Sequence, residues 1–213
     1  EFSPPWYTAV PAIHQEILRC ARERMEAVRA ARLRFIRSAS APLSRNLITG
    51  LEEVFKAPVL EAYGMTEASH QISSHRLPPS EREIGSLAIP THTKLAVMDH
   101  AGNFLAPDNR GEIVIRGTSV TTGYEPDGLN KEAFTHGWFR TGDLGYLDSG
   151  GNLFLTGRLK EIINRGGEKI SPREIDEALL DHPDVLEAVA FAIPHASLGD
   201  DIAAAVVVRN PVD

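Results

Sequence analysis

Pro58-Val59-Leu60-Glu61-Ala62-Tyr63, running straight into Gly64-Met65-Thr66-Glu67, is the stretch on which the reading of the fold turns. Residues 58–63 read as a short, mostly apolar strand, and Gly64 lets the chain turn sharply at its end. Working backwards, Ser44 is placed to cap a helix that carries Leu47, Ile48, Leu51, Val54 and Phe55 on one face. Before it, residues 33–36 read as another short strand. Before that, Pro11 opens a helical stretch whose apolar positions, Ile13, Ile17, Ala21, Met25 and Val28, make one stripe. Strand, helix, strand is the grammar of an α/β layer.

Working forwards, the texture changes near position 84. Short alternating runs at 95–98 and 113–115 are separated by Ala101-Gly102-Asn103 and by Asp108-Asn109-Arg110-Gly111. Tyr146-Leu147 and Leu153-Phe154-Leu155 flank a turn over 148–152. These are hairpin signals and predict an antiparallel β subdomain. After Gly157 the texture changes again. Ser171-Pro172-Arg173-Glu174 has the form of a capping box with proline at the first helical position, followed by Ile175, Ala178 and Leu179 facing inward. Residues 185–193 and 202–208 read as strands. The expected fold class is therefore α/β plus β in three segments: 1–83, 84–158 and 159–213.

At 213 residues, 42% hydrophobic and 24% charged, the chain has an ordinary globular composition. Its 22 Lys+Arg against 29 Asp+Glu leave a formal charge of -7, without the basic face of a nucleic-acid binder. The lone Cys20 sits in a helical pattern and rules out an intrachain disulfide framework. No apolar run approaches the roughly 20 residues of a membrane span. Glu1-Phe2-Ser3 and Asp213 read as interior to a longer chain.

Four short strings carry possible chemistry, each with a plainer alternative. In Tyr63-Gly64-Met65-Thr66-Glu67, a hydroxyl and a hard carboxylate stand beside a flat ring at a strand's carboxyl end, where α/β sheets bind ligands. The alternative is a turn with a capping Thr66. Arg140-Thr141-Gly142-Asp143, read as a loop between β elements, offers either a ribose-gripping carboxylate or an Asx turn. Arg165-Gly166-Gly167 is either a mobile loop near a ligand or an ordinary hairpin turn. Ser38-Ala39-Ser40-Ala41-Pro42-Leu43 either admits a ligand closely or simply leads into the next helix. A fifth string, residues 118–126, superficially resembles a phosphate loop. It lacks the glycines and the lysine such a loop needs, and is assigned to the surface.

The order of the strings is more specific than any one of them. SASAPL, YGMTE, GEIVIRG, GWFRTGDLGYLD and GRLKEIINRGGEKISPREIDEAL, in that sequence, resemble the motif set of the adenylate-forming family, which includes acyl-CoA synthetases, luciferases and peptide-synthetase adenylation domains. The resemblance runs from Trp6 to Val208. It implies part of the adenylate-forming fold: the end of a large N-terminal domain with its antiparallel β subdomain, then the start of a small α+β lid.

It also implies roles. Ser40, Ala41 and Pro42 would line the adenine and the acyl carboxylate. Tyr63, beside Gly64, would stack on adenine, Thr66 would touch phosphate, and Glu67 would help hold Mg²⁺. Asp143 would bind the ribose hydroxyls with Arg158 nearby, Lys160 would be the hinge of the lid, and Arg165, Gly166 and Gly167 would lie beside the coenzyme A tunnel. The implied activity is acid–CoA ligation, with ATP, Mg²⁺, coenzyme A and a carboxylic acid as cofactors and partners and no nucleic acid. A carrier-loading adenylation domain and a lapsed nucleotide-binding scaffold are the alternatives.

The family's phosphate loop and its adenylation lysine belong upstream of Glu1 and downstream of Asp213. This chain alone is therefore expected to be inactive, and those missing parts are its first partners. Ala39 and Ser40 stand where the family often has glycines, which shrinks the acyl pocket. His70 stands where it can meet a second carboxylate, or is simply a polar loop residue. EASH at 67–70 with NRGGEKISP at 164–172 resembles oxalate–CoA ligases, so a small acid such as oxalate is expected. The expected compartment is the cytoplasm, or the peroxisome for a eukaryotic chain.

Overall fold

The computed structural model describes residues 4–209. Glu1-Phe2-Ser3 and Asp213, read above as interior to a longer chain, lie outside the described residues. Three sheets follow one another along the sequence.

The first begins with β1 (Trp6–Ala9). Two helices, α1 (Pro11–Glu23) and α2 (Met25–Ala31), cross over to β2 (Phe35–Ser38). A third, α3 (Arg45–Phe55), crosses to β3 (Val59–Tyr63). The three strands are parallel, as such crossovers require. Two short antiparallel strands, β4 (Ser73–Ser74) and β5 (Ile89–Pro90), complete the order β1-β2-β3-β4-β5. Every residue of β3 is buried, which explains its continuous run. Leu18, Ile36, Leu43, Leu47, Ile48, Leu51 and Val59 form the core beneath it.

The Ser44 cap forms as expected, its Oγ accepting from the Leu47 N–H at 3.3 Å. The N-terminal helical stretch differs from the reading in two ways. It breaks at Arg24 into two helices, so Met25 and Val28 leave the stripe. The buried residues of α1 are His14, Leu18 and Ala21, while Ile13 is 53% exposed. Tyr7 Oη lies 3.3 Å from His14 Nδ1, so a polar side chain takes an inward position that an apolar count cannot find.

The second sheet comprises β6 (Lys94–Met98), β7 (Gly111–Arg116), β8 (Phe134–Thr135), β9 (Trp138–Leu147) and β10 (Leu153–Arg158), with a one-turn helix, α4 (Asn130–Ala133), before β8. The order is β10-β9-β7-β6, with β8 paired to β9, and all pairs are antiparallel. Asp148 closes the β9–β10 hairpin by accepting from the Asn152 N–H at 2.7 Å. Tyr63, Ala68 and Ile72 from the first sheet share a core with Ile113, Ile115, Phe139 and Leu153 from the second. This joint core fixes the loop after β3 against the second sheet.

The third sheet is β11 (Ile163–Arg165), β12 (Glu168–Ile170), β13 (Val185–His195) and β14 (Gly199–Val208), in the order β12-β11-β14-β13, with α5 (Pro172–Leu180) packed on β13. The capping box expected at Ser171 does not form. Ser171 Oγ donates to the Thr156 carbonyl at 2.5 Å, and the Glu174 carboxylate pairs with Arg110 at 2.7 Å. Both side chains instead bond to residues in and beside the second sheet: Thr156 in β10 and Arg110 just before β7.

Candidate functional site

The chain after β3 makes one tight turn. Tyr63 leads through Gly64 and Met65 into a 3₁₀ turn, Thr66–Ala68, and the Met65 carbonyl accepts from the His70 N–H at 3.0 Å. Gly64 is dictated by space rather than by φ: a Cβ there would lie 1.4 Å from the His70 carbonyl oxygen. Thr66 is exposed, and its hydroxyl carries no protein hydrogen bond among the described residues. The segment assigned above to the surface lies over this turn. Thr121 N–H donates to the Glu67 carbonyl at 2.7 Å, Ser69 Oγ donates to the Ser119 carbonyl at 2.9 Å, and Tyr124 Oη donates to Glu67 Oε1 at 2.8 Å. It is no phosphate loop, but it holds the turn and the Glu67 carboxylate in place.

Asp143 does not lie in a loop, as the sequence reading had it. It is within β9, beside a bulge in which residues 141–143 oppose Ile113 alone. Gly142, at φ +74°, makes the bulge possible. The Glu112 carboxylate locks it, accepting from Arg140 Nε at 2.7 Å and from the Gly142 N–H at 3.1 Å. Thr141 Oγ1 donates to the Ile113 carbonyl at 2.8 Å. The turn-like string RTGD is thus a kink in a long strand.

The bulge aims Asp143 at Tyr63 and Arg158. Tyr63 Oη donates to Asp143 Oδ2 at 2.6 Å, and Arg158 Nε donates to Asp143 Oδ1 at 2.9 Å. The carboxylate is 4% exposed and is held from the first sheet and from the end of β10 at once. Burial, reinforced by the Asp143 charge, raises the Tyr63 phenol well above its ordinary value, so it donates at any ordinary pH. The Tyr63 ring is only 8% exposed and belongs to the joint core, so most of the face expected to stack on a base is covered.

Ser40 and His70 border a third feature, a cavity of about 290 Å³ also lined by Thr8, Val10, Ile13 and Arg37. Ser40 at φ +77° and His70 at φ +84° both hold the left-handed conformation, which few non-glycine residues adopt. Ala41 and Pro42 are exposed beside it.

Lys160 is exposed in the single turn Leu159–Glu161 that leads from β10 to β11. Gly166 and Gly167, at φ +62° and +95°, form the two-residue hairpin between β11 and β12, so the plainer alternative describes their local structure. Arg165 pairs with Asp201 at 2.8 Å. Among the described residues no hydrogen bond or ion pair joins this hairpin to the Tyr63–Asp143–Arg158 group or to Glu67.

A model of the family described as "AMP-binding enzyme" matches residues 1–125, more than half of the chain. The chain belongs to the AMP-binding enzyme family. An oxalate–CoA ligase of Arabidopsis thaliana is 49% identical over 213 residues, covering 99% of this chain and 41% of that protein. A sulfoacetate–CoA ligase of Cupriavidus necator is 46% identical, covering 96% of this chain and 40% of that protein. The crystal structure of ATP-bound MatB from Rhodopseudomonas palustris shares the fold with a TM-score of 0.89 at 29% identity, covering 98% of this chain and 42% of that one. The chain therefore spans about two fifths of the length of the curated relatives it matches. The expected partial adenylate-forming fold is the one observed.

Two residues of this candidate site escaped the sequence reading. Tyr124 was hidden inside a string dismissed for want of a phosphate loop. Arg37, near the end of β2, lies just beyond the strand read at 33–36 and before the string SASAPL. The available signal was a charged residue directly after the apolar run Phe35-Ile36. No helix among the described residues is long and apolar enough to cross a membrane.

Proposed function

We propose that the protein carrying this chain is an AMP-forming acid–CoA ligase, and that the chain supplies its nucleotide-binding floor, part of its acid pocket and the start of its lid. The carboxylate of the acid attacks the α-phosphate of ATP, forming the acyl adenylate and releasing pyrophosphate. The thiol of coenzyme A then attacks the acyl carbon, and AMP leaves with the oxygen that bridged carbon and phosphorus.

The observation that carries this reading is the Asp143 carboxylate, pinned by Tyr63 and Arg158 before any ligand arrives. A carboxylate has about four acceptor positions, and the two protein bonds leave room for vicinal ribose hydroxyls. Such fixed polar groups need little reorganisation when the nucleotide binds. Ser40, Ala41 and Pro42 border the adenine and the acid, and Thr66 offers its free hydroxyl to phosphate.

Glu67 fits a magnesium ligand. Tyr124 occupies Oε1, the other oxygen carries no protein hydrogen bond, and no cluster of three acidic or imidazole groups lies among the described residues. Mg²⁺ is commonly held in this way, by one or two carboxylates and the phosphates it serves. The ion would supply charge neutralisation between two anions that must meet. Lys160 lies where a lid would pivot, and the Arg165-Gly166-Gly167 hairpin is the part of the lid assigned to coenzyme A.

The acid is small, with oxalate the first choice. Ala39 and Ser40 fill space at the cavity, His70 borders it, and the two curated relatives above are named for oxalate and for sulfoacetate. The test is turnover of the full-length protein with ATP, Mg²⁺, coenzyme A and a panel of carboxylic acids, read by mass spectrometry. AMP with one acyl-CoA is the expected result. Acyl adenylate without thioester would replace the reading with a carrier-loading enzyme, and no turnover would replace it with a nucleotide-binding scaffold.

A further inference from the structure

Arg37 stands near the end of β2, where burial alternates along the strand: Ile36 and Ser38 are buried, Phe35 and Arg37 half-buried. Its guanidinium has only neutral neighbours. Nη1 donates to Thr8 Oγ1 at 3.3 Å, and Nη2 donates to Gln71 Oε1 at 3.3 Å and lies 3.3 Å from His70 Nε2. All three contacts are long for bonds to a charged donor, which are usually nearer 2.8 Å. Arg37 forms no ion pair among the described residues, whereas Arg82, Arg140, Arg158 and Arg165 each pair with a carboxylate. Burial lowers its proton affinity, as it does for any cation taken from water without compensation.

An arginine N–H can only donate. At His70 Nε2 it meets a ring nitrogen, and the ring orients the guanidinium. A half-buried, preorganised cation beside a 290 Å³ cavity, with nothing anionic facing it, is a site that lacks its counter-ion.

We propose that Arg37 is the residue that selects the acid: its guanidinium binds a second anionic group, carboxylate or sulfonate, on the far side of a short acid whose other carboxylate reacts. The inference rests on the ligase reading and adds the substrate class, dianionic short acids, to it. His70 and Gln71 hold the guanidinium, and Ser40 borders the same cavity. A monoanionic acid of equal size would leave the guanidinium unpaired and would gain nothing from it.

The test uses the full-length protein and the variants Arg37→Gln and Arg37→Lys. The ratio of kcat/KM for oxalate to that for propionate should fall by about 100-fold in Arg37→Gln, the scale of a lost charge-assisted pair, and recover in part in Arg37→Lys. The loss should fall mainly on the KM for oxalate, while the affinity for ATP·Mg²⁺ measured by calorimetry should hold. An unchanged ratio would overturn the proposal, as would a loss of nucleotide affinity, which would place Arg37 on phosphate. If the wild-type protein turned over no acid, the ligase reading would fall. Calorimetric binding of oxalate against propionate, in wild type and Arg37→Gln, would still decide for or against Arg37. Thermal unfolding of both variants separates a folding defect from a lost contact.

Discussion

Tyr124 Oη donates to Glu67 Oε1 at 2.8 Å across 57 residues of sequence. The bond joins the segment after β7 to the turn after β3 and leaves the second Glu67 oxygen open. Tyr124 touches no reacting atom in this account; it is a positioning residue.

Tyr124→Phe keeps the ring and removes the donor. The carboxylate is then free to rotate, and the Mg²⁺ concentration that supports half-maximal ATP binding should rise by about 10-fold, the scale of one hydrogen bond to a charged group. Calorimetric titration of ATP at several Mg²⁺ concentrations measures it. A curve identical to wild type would show that Tyr124 only fills space.

Asp143→Ala should weaken ATP binding by at least about 10-fold and also destabilise the fold by about 1–3 kcal/mol, because the buried Tyr63 hydroxyl loses its acceptor. Tyr63→Phe keeps the carboxylate and should cost less affinity. Equal nucleotide affinity in wild type and Asp143→Ala would refute the ribose assignment, whatever happened to stability.

Gly64→Ala should destabilise by several kcal/mol, roughly 3–5, because the added carbon meets backbone that cannot step aside. The shift in the denaturant midpoint of the full-length protein measures this. A shift near zero would mean that the turn after β3 is looser than described.

Glu61, 7% exposed inside β3, has its carboxyl pushed up to about 7 by burial; an N–H from Leu43 and the charges of Arg173, Arg45 and Arg82 oppose the shift. Its folded value lies above its ordinary value of 4.5, so the folded state binds this proton more tightly. Stability from this group is complete below about pH 4.5 and is lost as pH rises through 7, on the order of 3 kcal/mol in all. Glu61→Gln should remove the dependence and be more stable than wild type at pH 8. Urea midpoints of both proteins from pH 5 to 8 check this, and parallel curves would contradict it.

Much of this architecture was legible because it rests on local rules. The run ending at Tyr63, the cap at Ser44 and the Asp148 turn each announce themselves within a few residues. What escaped depends on partners distant in sequence. Asp143 looked like a loop residue because Gly142 writes a turn signal into a bulged strand, and Glu112 stabilises that bulge from the neighbouring strand. Ser171 and Glu174 spell a capping box but find Thr156 and Arg110 instead. Arg37 falls just outside the strand read at 33–36, and only the structure shows that no carboxylate among the described residues answers it. The ordered motifs named the family before the geometry did; they were silent on Tyr124 and Arg37.

The most direct test of the central claim follows one oxygen atom. The full-length protein is incubated with oxalate labelled with ¹⁸O in its carboxylates, together with ATP, Mg²⁺ and coenzyme A, and the AMP is weighed. If the acid is activated as an acyl adenylate and the thiol displaces AMP at carbon, each AMP carries one ¹⁸O and is two mass units heavy. Unlabelled AMP, or ADP in its place, would contradict the account.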